Sequence, residues 1–273
     1  MVTQSDFGRL VGLVSSIRVF PLCFHTAQFS PMDTFVPTSS FNTEQLAGST
    51  LVLPSVSIGN VPQLTCDLFV HTLGLERVGF INNDAVMSVA GKREGVQGPG
   101  VAVAVEVYQS SDRRWTMIQQ RAPTYKGKRR GYIKDLVAFV QKYKFDHVMV
   151  LTSADASLRT DAQITSVPFR VAGTEDAILQ KAQDIGIPRL DTEEKDVHGT
   201  GMGVPFFTAL KEASIKTTMM IMFALEGDNV NDAVLFANMF NTLFQLRTDQ
   251  GSWTPPPSWD FLFGTPFNQE LYQ

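Results

Sequence analysis

The chain is 273 residues long with a formal net charge of −4, which leaves no basic footprint for nucleic acid or an anionic membrane. A hydrophobic fraction of 44% suffices for a sizeable core, and the length fits a single α/β domain with decorations. Two cysteines, Cys23 and Cys66, offer no disulfide framework, and His25, His71, His147 and His198 lack metal-ligand spacing, so a reducing compartment and no metal or cofactor are expected.

Residues 1–31 include an apolar stretch at 11–24 that Arg18 and Pro21 interrupt. It falls short of the roughly 20 apolar residues a membrane helix needs and lacks the basic flank and cleavage site of a signal peptide. This part reads as a disordered N-terminal extension ahead of Met32, with a faint transit-peptide character from its serines and few acids. A core domain over 32–250 and a tail over 251–273 follow.

Residues 50–57 are apolar along most of their length and predict a strand buried on both faces. A turn at 58–60 leads into a helix over 61–73, with Asn60 as its cap and Pro62 in its first turn. Leu64, Leu68, Phe69, Val70 and Leu73 surround that helix, so it should be buried; Cys66 within it reads as a small hydrophobe. Strands are predicted at 77–81, 101–110 and 115–121, the last two joined by a hairpin-length connection. An amphipathic helix spans 131–144 on Ile133, Leu136, Val137 and Val140, and a second all-apolar strand follows at 147–152. A further helix is expected at 174–185, a loop at 191–203, a third apolar strand at 216–225 and a strongly amphipathic helix at 229–246. Three buried strands with intervening helices predict a three-layer αβα sandwich with a mainly parallel central sheet.

Four polar segments are candidates for chemistry. Gly199, Gly201 and Gly203 suggest a phosphate-cradling loop, but an acidic loop precedes them where the dinucleotide fingerprint needs a strand. Residues 153–161 follow a buried strand, where open sheets place ligand crevices, and carry Ser153, Asp155, Ser157, Arg159 and Asp161. Residues 226–229, Glu226 to Asn229, have the composition of a tight turn and helix cap, and equally of a ribose or cation contact. The basic run at 126–130 reads as a solvated loop entering a helix, or as an import patch or a contact for an acidic partner. No nucleophile elbow, HExxH or Walker loop is present, so catalysis is weakly supported.

The tail is the more informative part. Trp253, Trp259, Phe261 and Phe263 alternate with prolines in a segment too Pro-rich to be a helix or a central strand. Such rigid rings supply contact area at low entropy cost, either on the chain's own core or on a partner. Leu271, Tyr272 and Gln273 form a hydrophobic–tyrosine–any ending that suits a pocket offering a cation to the carboxylate and an apolar slot to the ring.

A family resemblance joins these segments. The run Thr34-Phe35-Val36-Pro37, then Leu46-Ala47-Gly48, residues 51–61 with Gln63 and Leu64, 104–108, Gln119-Gln120-Arg121, Arg159-Thr160-Asp161, 166–170, 226–229, Pro257-Ser258-Trp259 and Leu262-Phe263-Gly264 together resemble the proteasome assembly chaperone 2 family over nearly the whole chain. The resemblance implies a non-enzymatic chaperone, heterodimeric with proteasome assembly chaperone 1, that scaffolds the proteasome alpha ring and prevents alpha-ring dimerisation. It further implies contacts with alpha type-5 and type-7 subunits, docking of Leu271, Tyr272 and Gln273 on the alpha ring, presence in cytosol and nucleus, and a fold resembling nucleoside-phosphorylase-like enzymes. The competing reading is a phosphorylase- or hydrolase-like enzyme using residues 153–161 and 226–229 on a nucleoside-like ligand.

Overall fold

A computed structural model describes residues 34–93, 100–190, 197–249 and 251–261; the expected extension at 1–31 lies outside the described residues. The elements are β1 (Phe35–Pro37), β2 (Thr50–Pro54), α1 (Val61–Thr72), β3 (Glu76–Ile81), β4 (Ala90–Lys92), β5 (Val101–Val103), β6 (Val105–Gln109) and β7 (Trp115–Gln120). There follow α2 (Arg129–Tyr143), β8 (His147–Asp155), α3 (Asp161–Ile164), β9 (Phe169–Gly173), α4 (Asp176–Asp184), α5 (Gly203–Glu212), β10 (Thr217–Ala224) and α6 (Val230–Phe244).

Eight strands form one sheet in the order β1-β3-β6-β7-β2-β8-β10-β9. The expected parallel character is confined to its centre, where β7, β2, β8 and β10 run parallel. Both flanks are antiparallel, β1, β3 and β6 on one side and β9 on the other, so the sheet is mixed. The unit β7-α2-β8 is the helical crossover that parallel neighbours require, with β2 inserted between its two strands.

Successive side chains of the central strands face opposite layers, which is why these strands are largely apolar on both faces. Leu51, Leu53, Val148, Val150, Met219 and Ile221 join α2 and α5 in one core, through Tyr132, Leu136, Phe139, Phe206 and Leu210. Val52, Met149, Leu151, Met220 and Met222 join α1, α4 and α6 in the other, through Phe69, Leu179, Phe236 and Phe240. Helices on both faces of the sheet make three layers. Cys66 is fully buried in the second core, and burial raises its thiol well above the ordinary range, as suits an inert packing residue.

Several local expectations change. The run at 101–110 is two strands, because β5 pairs with β4 in a separate ribbon whereas β6 enters the main sheet between β3 and β7. Asn60 occupies the cap position of α1 in a left-handed conformation (φ 52°) without a side-chain cap bond; asparagine tolerates this backbone better than most residues. The basic run places Lys128 at the cap of α2 and Arg129 and Arg130 in its first turn, where the helix dipole disfavours cations.

His147, at the start of β8, sits within 3.1 Å of the Thr218 hydroxyl. Burial lowers its pKa below the ordinary 6.5, outweighing the opposing pull of Glu175 and Asp146, while Lys216 adds to the lowering. The unfolded chain therefore takes up this proton first, so the contribution of neutral His147 is present above pH 6.5 and lost as pH falls. In thermal melts, His147→Gln should reduce the loss of Tm between about pH 7.5 and about pH 5.5. An unchanged pH profile would remove His147 as its source.

Candidate functional site

The crevice where α/β enzymes bind ligands lies beyond the carboxyl ends of the parallel strands. Here the loops after β2 and β8 and the segment leading into α5 meet at that end. Ser55 donates to the Thr200 carbonyl at 3.0 Å and accepts the Met202 amide at 2.9 Å; the Thr152 hydroxyl donates to the same carbonyl at 2.9 Å. Ser153 and Ser57 share a hydroxyl–hydroxyl bond of 2.8 Å, the Ser153 amide donates to Ser57 Oγ at 3.0 Å, and the Ser153 hydroxyl donates to the Ile58 carbonyl. Backbone bonds from Ile58 to Gly199 and from Asp155 to His198 close the seam.

The glycine run serves this closure. A Cβ on Gly201, which has φ +57°, would stand 1.9 Å from the Val56 carbonyl oxygen, and one on Gly203 would stand 2.5 Å from Thr152 Cβ. A helix, α5, does follow the glycines, the expected acidic loop before them falls at 191–196, outside the described residues, and the crowding around Gly201 and Gly203 is with the chain's own strand ends.

The remaining loop candidates are engaged locally. Ser153 and Asp155 belong to β8 itself, which is longer than predicted. Asp155 accepts the Ser157 hydroxyl at 2.7 Å and amide at 2.9 Å, and these bonds lower its pKa. Arg159 donates to the Ala156 carbonyl at 3.2 Å and lies over the Phe223 ring. Asp161 opens α3. In the turn before α6, Asp228 accepts the Val230 amide at 3.2 Å, and buried Asn229 donates to the Gly227 carbonyl at 2.9 Å. These are turn and cap roles. Among the described residues, no group of three or more His, Cys, Asp or Glu side chains is placed to hold a metal ion.

The tail makes a different kind of site. Trp253 is 8% exposed, packed in the core beneath α1 and α6 with its ring 5.4 Å from that of Phe69. Its indole N–H donates to Asn238 Oδ1 at 2.8 Å, and the Arg247 guanidinium lies 4.2 Å from its ring centroid. Arg247 also donates to the Ser252 carbonyl at 3.1 Å, and the Thr254 amide donates to the Thr72 hydroxyl at 2.8 Å. Trp259 packs partly buried on the same core from a short 3₁₀ turn, Pro257–Phe261. The two tryptophans therefore face inward. Phe261 ends the turn, its side chain outside the described residues, as are Phe263, Leu271, Tyr272 and Gln273. Asn238 and Arg247, which hold Trp253, carry no local signal, because their role depends on where the tail returns.

Fold and site together define a mixed-sheet αβα protein whose strand-end crevice is closed by its own loops and whose residues 252–259 are strapped to its core. The PAC2 family profile matches residues 51–233, and the chain belongs to the PAC2 family. It is similar to proteasome assembly chaperone 2 of Danio rerio, 30% identical over 80% of this chain and 92% of that protein. Proteasome assembly chaperone 2 of Nematostella vectensis is 32% identical, covering 73% of this chain and 91% of that protein. Among solved structures, Pyrococcus furiosus PbaA, an archaeal homolog of proteasome-assembly chaperone, shares the fold with a TM-score of 0.58 at 13% identity, over 74% of this chain and 83% of that one.

Proposed function

We propose that this chain is a proteasome assembly chaperone that acts by contact and catalyses no reaction. The observation that carries the reading is its likeness, at 30% identity over 92% of the relative's length, to a protein named proteasome assembly chaperone 2. The closed crevice supports it, since the hydroxyls of Ser55, Ser57 and Ser153 and the carboxylate of Asp155 are spent on turns and seams. A kinship of the scaffold with nucleoside-phosphorylase-like enzymes fits the same picture, with the ligand crevice filled. Leu158, Ile164 and Leu225, each more than half exposed, follow β8 and β10 at that closed end, an apolar rim suited to a folded partner.

In this reading the chain pairs with proteasome assembly chaperone 1, and the heterodimer scaffolds alpha-ring formation and blocks alpha-ring dimerisation. Its partners include alpha type-5 and type-7 subunits, and it works in cytosol and nucleus. Co-expression with chaperone 1 should yield an equimolar complex that captures free alpha subunits. Recovery of a monomer that ignores those subunits would overturn the proposal.

Leu271, Tyr272 and Gln273 are the proposed ring-docking element. Tyr272→Ala should weaken binding to an assembled alpha ring by about tenfold, roughly 1.4 kcal/mol, while leaving pairing with chaperone 1 unchanged in surface plasmon resonance. Equal ring affinity after that change would remove the docking role.

A further inference from the structure

Away from the closed crevice, a cavity of about 370 Å³ lies between the C-terminal half of α1, strand β6, the β4–β5 ribbon and the tail. Its floor is charged and internally balanced. Glu106 receives Arg77 at 2.6 Å on one oxygen; its other oxygen accepts the Tyr108 hydroxyl at 3.1 Å and lies 3.5 Å from Arg121. Asp67 accepts from Gln119 Nε2 at 2.6 Å and lies 3.2 Å from Arg121. Burial, reinforced by Glu106, pushes the Tyr108 pKa up to about 12, so its hydroxyl remains a donor.

Both carboxylates are therefore engaged, and the four floor groups sum to no net charge, so the unbalanced charge at this cavity is the cation on its rim. The Arg121 side chain is 36% exposed, and exposed Lys92 on the rim has no ion pair with any described residue. The walls are apolar, formed by Val70, Leu75, Val89, Val103 and Pro256. The ribbon stands outside the eight-stranded sheet with three residues per strand; Val89 beside it is 44% exposed and Val101 within it 56%. Two short strands alone are marginal in water; Arg77 Nη1 already donates to the Val101 carbonyl of β5 at 2.7 Å, so β4 is the edge left for an extended chain.

We propose that this cavity receives an extended segment of a partner protein, one that pairs along the β4–β5 ribbon, buries an apolar side chain against Val70 and Val89, and sets an Asp or Glu carboxylate on Lys92 and Arg121. The three features point to one occupant. Lys92, with no ion pair to any described residue, selects an anion, the apolar walls select a hydrophobic neighbour, and the β4 edge of the ribbon is satisfied by main chain. The inference does not depend on the partner being a proteasome subunit.

Fluorescence anisotropy of the full chain with a fluorescein-labelled, end-capped peptide of alternating glutamate and leucine tests it. Saturable binding is expected, weakened about tenfold when glutamine replaces glutamate in the peptide, and by a similar factor in Lys92→Glu and Val89→Asp. Both positions are exposed, and unchanged circular dichroism of the variants will separate lost binding from lost folding. Absence of saturable binding, equal affinity for the glutamine peptide, or displacement by acetate at the peptide's own concentration would overturn the proposal.

Discussion

Gly201→Ala is expected to cost several kcal/mol and to lower Tm by on the order of 10 °C, because two penalties fall on one atom. The residue holds φ +57°, where an alanine costs roughly 1 kcal/mol relative to glycine. The added methyl would also stand 1.9 Å from the Val56 carbonyl oxygen, so the loops after β2 and before α5 must separate. Separation breaks the Ser55 bonds to Thr200 and Met202 and leaves buried polar groups unpaired. Gly127→Ala is the matched control: it has φ +85° but nothing within 4 Å of the new atom, so it should show the conformational penalty of about 1 kcal/mol alone. Equal melting temperatures for the two variants would show that the seam yields easily, and the closed crevice would then be no barrier to a ligand.

Trp253→Ala should destabilise the protein by about 3–5 kcal/mol, a Tm loss again on the order of 10 °C. The indole is buried against Phe69, covered by Arg247 and hydrogen-bonded to Asn238, so its removal leaves a cavity and an orphaned amide. Trp253→Phe keeps most of the packing and should lose about 1 kcal/mol for the missing N–H bond. Differential scanning calorimetry distinguishes the two; a Trp253→Ala protein as stable as the wild type would mean that the tail contributes nothing to the fold. The anchor also matters for docking. Tyr272 lies eleven residues beyond Phe261, a contour of at most about 40 Å, so a strapped tail confines the proposed ring-docking tripeptide to a bounded volume.

Legibility in the sequence follows how local each signal is. Strands β2, β8 and β10 stand out because burial on both faces makes most of their positions apolar. Strand β9 does not, since Arg170 interrupts it; that side chain is 4% exposed, donates to the Val167 and Phe169 carbonyls and lies over Phe223. The division of 101–110 into β5 and β6 is invisible for a related reason. Both halves have strand character, and their separation at Ala104 reflects different pairing partners rather than a change in residue type.

The chemical candidates divide in the same way. Glycines at 199, 201 and 203 mark a place where backbone comes close to something, but the spacing does not say whether that is a phosphate or another strand end. The cavity beside the ribbon left no trace, because Asp67, Glu106 and Arg121 come from α1, β6 and the end of β7 and form a network only when the sheet brings those elements together. Hydrophobic periodicity, a property of neighbours along the chain, is sufficient to specify β2, β8, β10, the helices α1, α2, α4 and α6 and an aromatic tail bound to seek a surface, while α5 with its buried Phe206 and Leu210 goes unread. Strand order, the plugging of the crevice and the inward turn of Trp253 rest on contacts between residues far apart, whose energies exist only once the chain has closed on itself.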